Sequence, residues 1–175
     1  MMRLLILAGL ALCAACAPQQ TPHCEARISR EIAFTESAAP DVIAAQTLGE
    51  YCAQAFGVLT ITTHEGDPVW VYAAPLARAF GEGFAEPEEE AMNAFLERWA
   101  QAELSRTSAA PAWTQLSAGQ TGLDQLTYED IRARDLPMLC HYAGTGRQLC
   151  VFWEPAAGGA GQLLDLESNE EGQTP

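Results

Sequence analysis

The sequence contains no lysine, and its nine basic residues, all arginine, face 23 acidic residues in a chain of 175. Without lysine the chain has no Schiff-base, P-loop or lysine-base chemistry, which removes several large enzyme classes. The formal net charge of −14 also opposes the phosphate-tracking surface of a nucleic-acid-binding protein. The composition therefore excludes nucleic acid as a partner.

Long hydrophobic runs are also missing. The apolar run from Leu4 to Leu12 is well short of the roughly 20 residues that a transmembrane helix needs, and no later stretch approaches that length. Arg3 precedes this run and small residues follow it, which is the architecture of a secretory signal. The sequence therefore predicts a signal peptide over residues 1–15 and no membrane-spanning helix.

The end of this segment, Ala14-Ala15-Cys16, resembles the cleavage box of bacterial envelope lipoproteins, in which the first mature cysteine carries the lipid. The resemblance covers residues 1–16 only. It implies lipidation of Cys16, a polar tether over residues 16–27, and a lipid-anchored protein of the bacterial cell envelope, at the outer membrane or in the periplasm. The box usually holds Leu, Val or Ile where this chain has Cys13, so cleavage by an ordinary signal peptidase at the same bond is the alternative.

Four cysteines follow Cys16, and an even number suits a disulfide framework in an exported chain. They are Cys24, Cys52, Cys140 and Cys150. Centring a hairpin on Thr145, within a Gly-Thr-Gly loop, sets Cys140 directly opposite Cys150. Opposed strand residues have Cβ separations of about 4.5 to 5.5 Å, near what a disulfide requires. We therefore predict the bridge Cys140–Cys150 and, by elimination, Cys24–Cys52.

The hydrophobic pattern predicts strands grouped in hairpins, with helices set apart from them. Alternating β-branched residues and turn signals predict strands over 28–34, 58–63, 69–72 and both arms of a hairpin within 136–153. Residues 41–48 fit either a strand or a short helix after Pro40, and Gly49, which ends the segment early, favours the strand. Pro87, the glutamates after it and apolar residues at helical spacing predict one amphipathic helix over 87–106. A capping pattern at Thr127 to Asp130 predicts a short helix that ends at Arg134.

Hairpins with a segregated helix indicate an α+β fold rather than a doubly wound parallel sheet. We expect one domain over residues 28–155, with an antiparallel sheet, one main amphipathic helix and two disulfides. The glycine-rich and acidic segment 156–175 is predicted to be a mobile tail, in which 162–166 is a candidate edge strand.

Two histidines are the candidate general bases. The predicted hairpin register sets His141 on one strand face with Leu139 and Leu149, which favours a core role over a catalytic one. His64 lies in a turn beside acidic residues, where an ordinary loop histidine is the favoured interpretation. Because the chain also lacks a G-x-S-x-G motif and a calcium loop, the sequence predicts no catalytic residue, metal site or cofactor.

Aromatic side chains with a polar group often mark recognition surfaces, and each of them also suits a hydrophobic core. The candidate binding residues are Trp70, Tyr72, Trp113 and His64. The favoured hypothesis is a non-enzymatic binding or inhibitory module whose acidic charge selects a cationic protein or peptide, such as a lysozyme-like hydrolase. The alternative is a small envelope hydrolase that uses carboxylates with His64 or His141.

Overall fold

Eight antiparallel strands in two sheets, with three α-helices, make up the part of the chain that the computed structural model describes, residues 24–102 and 104–167. This arrangement confirms the predicted α+β class. The first sheet has the order β1 (Ala26–Ile32), β2 (Asp41–Leu48), β3 (Phe56–Thr62) and β4 (Pro68–Pro75). The second has the order β5 (Leu104–Arg106), β6 (Pro137–Gly144), β7 (Arg147–Glu154) and β8 (Gly159–Glu167). The helices are α1 (Leu76–Phe80), α2 (Glu89–Trp99) and α3 (Gln125–Ala133).

The larger core lies between the two sheets. The inner face of the first sheet contributes Ile43 and Leu59, which are fully buried. This face packs against the apolar side of α2 and against Leu139 and Val151 of the second sheet. Side chains two apart on a strand point the same way, so His141 on β6 is directed into the same interface as Leu139.

A smaller core lies on the other side of the second sheet. Cys150 and Phe152 of β7 point to this side, where they pack against Tyr128 and Ile131 of α3. The second sheet is therefore covered on both faces. Strands covered on both faces are apolar almost throughout instead of alternating, which is the pattern of β6 and β7.

The main helix is shorter than the sequence predicted. It ends at Trp99, and Leu104–Arg106 form β5, which pairs with Pro137 to Leu139 of β6. The helical prediction is wrong for 100–102 and 104–106 because pairing of Leu104–Arg106 with β6 outweighs a weak helical preference there. The apolar stripe of the helix is buried as predicted, by Met92, Phe95, Leu96 and Trp99.

The third helix begins earlier than its predicted cap. Asp124, and not Thr127, is the N-cap residue, and its carboxylate accepts the Thr127 backbone N–H at 3.0 Å. Asp and Thr are both good N-caps, and a cap at Asp124 brings Tyr128 and Ile131 onto one buried face.

The predicted tail contributes a strand. β8 covers Gly159–Glu167 and forms the edge of the second sheet, which extends the candidate edge strand 162–166 at both ends. Leu163 and Leu164 are fully buried, so hydrophobic burial holds this segment despite its glycine-rich start. Residues 168–175, like Cys16 and the tether up to residue 23, lie outside the described residues.

Both predicted disulfides are present. Cys140 and Cys150 are paired across β6 and β7, with their Cα atoms 3.9 Å apart. Cys24 and Cys52 are bridged at a Cα distance of 4.9 Å, which ties the residues before β1 to the short 3₁₀ turn after β2.

Candidate functional site

His141 is held by hydrogen bonds at both ring nitrogens. It is 2% exposed, and the Trp70 indole donates to its Nε2 at 3.0 Å. An indole nitrogen only donates, so the imidazole proton is assigned to Nδ1, which donates to the Tyr142 carbonyl oxygen at 2.9 Å. Burial lowers the pKa of His141 to about 4, so the ring is neutral at pH 7. A neutral imidazole with no free nitrogen is poorly placed to act as a general base.

Further hydrogen bonds extend this arrangement into a network that joins both sheets and α2. The Tyr142 carbonyl oxygen also accepts from Trp99 Nε1, at 2.8 Å, and the Tyr72 hydroxyl donates to the Ala143 carbonyl oxygen at 2.6 Å. Burial raises the pKa of the Tyr72 hydroxyl. We call Trp70, Tyr72, Trp99 and His141 the interface network. Two of the candidate binding residues, Trp70 and Tyr72, thus use their polar groups inside the molecule.

Trp113 is half-buried beside α3. Its ring meets that of Tyr128 edge-on at a centroid distance of 5.7 Å, and its backbone N–H donates to Glu129 Oε1 at 2.9 Å. The structure therefore places Trp113 against the smaller core, whereas Trp70, Tyr72 and Trp99 of the interface network belong to the larger core.

His64 lies on the turn between β3 and β4. Its side chain is 43% exposed, and its Nε2 lies 3.9 Å from Glu65 Oε1. The structure does not bring His64 and His141 together, because one is on an exposed turn and the other is buried between the sheets. Of the four candidate binding residues, His64 is the most exposed.

An acidic concavity that the sequence did not reveal lies along α2. A cavity of about 470 Å³ opens between the Cys24–Cys52 bridge, Glu25 and the start of α2 at Glu89. A shallower depression of about 560 Å³ continues along the helix past Glu90 and Glu97, and it shares Glu89 and Asn93 with the first. We call this surface, lined by Glu25, Glu89, Glu90, Asn93 and Glu97, the acidic groove.

The carboxylates of the acidic groove are not neutralised by arginine within the described residues. The arginine ion pairs there join Arg106 to Glu36, Arg132 to Glu129, Arg134 to Glu154 and Arg147 to Asp165. Each of these pairs involves an arginine that follows α2 in the chain. The groove therefore keeps its negative charge, while charge around the second sheet is partly compensated.

The glutamates at the start of α2 also have a local role. Glu89 and Glu90 occupy its first turn, where their negative charge interacts favourably with the positive end of the helix dipole. In the sequence these glutamates indicate the start of the helix, and nothing there joins them to Glu25. Joining them to Glu25 requires the packing of α2 against β1, which no local pattern encodes.

No three His, Cys, Asp or Glu side chains in the described ranges are placed to hold a metal ion. Among the same residues, none of the helices combines the length and the apolar character needed to span a membrane. No protein family, curated protein or solved structure matches the chain.

Proposed function

We propose that this protein is a lipid-anchored binding or inhibitory module of the bacterial cell envelope that recognises a cationic protein or peptide through the acidic groove. The observation that carries the proposal is a concave surface whose exposed carboxylates have no arginine partner among the described residues. Such a surface attracts cations from a distance and favours them over neutral or anionic partners.

The walls of the groove suit binding because they are fixed before a partner arrives. One wall contains the Cys24–Cys52 disulfide, and the opposite wall is α2, which is held by its buried apolar stripe. Less ordering of the binding surface is then needed on association, which improves affinity for a given contact area.

The interface network supports a binding role over the hydrolase alternative. The alternative, a hydrolase that uses carboxylates with a histidine, needs a histidine that reaches solvent, and His141 is buried with both nitrogens engaged. Among the two histidines of the described residues, the alternative then depends on His64 with Glu65 on the β3–β4 turn.

The expected anchor would hold the groove near a membrane surface. Lipidation at Cys16 would leave nine residues before Glu25, a reach of at most about 30 Å. An anchored groove of negative charge suits a cationic partner that works at the same surface, such as a cationic secreted hydrolase.

The test uses a fluorescein-labelled lysine decamer and the full chain. Fluorescence anisotropy is measured at about 0.1 M and about 1 M salt, where the Debye length falls from about 10 Å to about 3 Å. We expect binding to weaken steeply with salt, and the triple variant E89Q/E90Q/E97Q to weaken it about tenfold or more at low salt.

The matched control is E65Q/D67N/D130N, which changes the net charge equally at exposed positions outside the groove. It should retain nearly the wild-type affinity. Equal loss in the two triple variants would assign binding to net charge alone, and absence of binding by the wild type would overturn the proposal. A variant H64A that loses a hydrolytic activity while it keeps decamer binding would favour the alternative.

A further inference from the structure

The first sheet has a long free edge at β1. In the described part of the chain no strand lies beyond β1, which has seven residues and is exposed along much of its length. The other sheet edges are shorter or lie close to other parts of the chain. β5 has three residues, β4 contacts β8, and the Asp165 N–H of β8 donates to the Gln120 carbonyl oxygen at 2.8 Å.

Among the described residues, the outward backbone groups of β1 have no partner strand at this edge. The Ala26 N–H is directed toward β2, where it donates to Thr47 Oγ1 at 3.0 Å. Backbone groups alternate in direction along an antiparallel strand, so Arg27, Ser29 and Glu31 direct theirs away from β2. These three residues are all exposed. Such a row of free N–H and C=O groups is a template for another strand.

The charges on this edge are self-complementary. Arg27 and Glu31 lie at equal distances on either side of Ser29, and neither forms an ion pair within the described part of the molecule. We propose that β1 pairs antiparallel with β1 of a second copy about a two-fold axis at Ser29. In this register Arg27 lies opposite Glu31 of the partner subunit, and the partner's Arg27 lies opposite Glu31.

The register agrees with the backbone directions. The residues that face each other at Arg27, Ser29 and Glu31 are the ones whose N–H and C=O groups point outward, so each facing pair exchanges two backbone hydrogen bonds. Opposite charges directly across two strands add to the stability of the pair. The first sheets of the two copies, with four strands each, would then form one continuous sheet of eight strands with closed two-fold symmetry.

Charge selects a second copy as the occupant of this edge. Two chains of net charge −14 repel each other over most of their surfaces, and the arginines that could offset this repulsion are few. Arg27 and Arg30 lie on β1 without a carboxylate partner among the described residues, so this edge is a place where two copies meet with attraction. A cationic peptide, in contrast, would be repelled by both arginines.

Pairing through β1 is compatible with the proposed function and does not depend on it. The groove takes Cys24, Glu25 and Ala26 from this part of the chain, and the paired edge begins at Arg27. Decamer binding and dimer formation can therefore fail separately.

The experiment measures the oligomeric state of the full chain by sedimentation velocity over a dilution series, with a C16S variant to remove association through an anchor. We expect a dimer from the wild type and from C16S. The single variants R27E and E31R should each weaken dimerisation about tenfold or more, since like charges then face each other at both symmetric positions.

Three further samples distinguish this register from a loss of folding. The double variant R27E/E31R should dimerise again, and an equal mixture of R27E with E31R should form a heterodimer because all facing charges are then opposite. The variant S29P removes an outward N–H and should give a folded monomer, since proline is tolerated at a strand edge. A monomeric wild type, failure of the mixture to associate, or an S29P dimer would overturn the proposal.

Discussion

The stability of the fold depends on the protonation state of His141, because both of its ring nitrogens form hydrogen bonds. Protonation at Nε2 would remove the acceptor of the Trp70 indole and leave a charge between the sheets. The ring lies against Tyr72 and Trp70, at centroid distances of 5.1 and 6.1 Å, and no described carboxylate contacts it. The folded protein therefore binds this proton more weakly than the unfolded chain does.

We predict that the free energy of unfolding falls as the pH is lowered from about 6.5 toward about 4. Folding lowers the pKa of His141 from 6.5 to about 4. The contribution of neutral His141 to the free energy of unfolding is therefore complete above the unfolded-state pKa and is lost as the pH falls through the folded-state pKa. The size of this loss is about 3 kcal/mol. Guanidinium unfolding followed by tryptophan fluorescence at several pH values measures it.

The variant H141Q retains an acceptor for Trp70 without a titrating ring, so its stability should depend less on pH over the same range. H64Q is the matched control and should keep the wild-type dependence, since His64 lies on an exposed turn outside the interface. Parallel pH profiles for the wild type and H141Q would contradict the role assigned to His141.

Residue-level prediction from sequence worked where a residue had a local partner. The Gly-Thr-Gly turn fixed the register of β6 and β7, and with it both the Cys140–Cys150 bridge and the core placement of His141. Trp70 and Tyr72 were harder to interpret, because their partners on β6 are 71 residues away in the chain. Polar groups on aromatic rings fit recognition and internal hydrogen bonding equally well until such partners are known.

At the scale of elements, strands with alternating patterns were predictable, while element ends were set by tertiary packing. The hairpin formed by β3 and β4 follows directly from its β-branched residues and its turn. The end of α2 at Trp99 depends on β5 pairing with β6, and β8 depends on the burial of Leu163 and Leu164. Neither contact leaves a mark in the local sequence.

The position of α2 over the first sheet depends on a small residue in β3. A Cβ atom added at Gly57 would lie 3.0 Å from Cζ3 of Trp99 and 3.1 Å from Cδ1 of Leu76. Both neighbours are fully buried, and Trp99 is also held by its hydrogen bond to Tyr142. The close approach of helix and sheet therefore leaves too little room for a Cβ atom here unless these neighbours shift.

We predict that G57V destabilises the protein by about 1 to 3 kcal/mol, in spite of the higher strand preference of valine, because the ring of Trp99 must move. Chemical unfolding measures the loss, and near-UV circular dichroism should report the displaced indole. The control A73V changes an exposed position of β4, where added volume meets solvent, and should be nearly neutral. Equal stability of G57V and A73V would show that α2 does not pack this closely.

For the whole molecule, the sequence predicted the α+β class from its hairpins and its separate helix. The burial of both faces of the second sheet became apparent only in the structure. The acidic groove was not visible, since it joins Glu25 to Glu89 and Glu97 across more than 60 residues. Concave sites of this kind arise only when distant elements pack together.

The two disulfides act on different parts of this architecture. Cys140–Cys150 closes a separation of 10 residues inside a hairpin that is already paired along both strands. Cys24–Cys52 closes a separation of 28 residues and fastens the start of β1 and one wall of the acidic groove. Chain entropy alone gives about 3 and about 3.5 kcal/mol respectively, so the bridges should differ more in where they act than in how much they stabilise.

We predict that the paired variant C24A/C52A raises amide hydrogen exchange over β1 and the groove wall while β6 and β7 stay protected. At concentrations where the chain is monomeric, β1 is an edge strand, and without its bridge it opens locally at a free energy below that of global unfolding. In C140A/C150A the bridge is lost from a strand pair in the centre of the second sheet, so exchange should rise across both cores together. Mass spectrometry of exchanged peptides separates the two patterns. If exchange over β1 does not rise in C24A/C52A, its pairing with β2 is enough to hold β1 without the bridge. The proposed dimer would then form without the bridge.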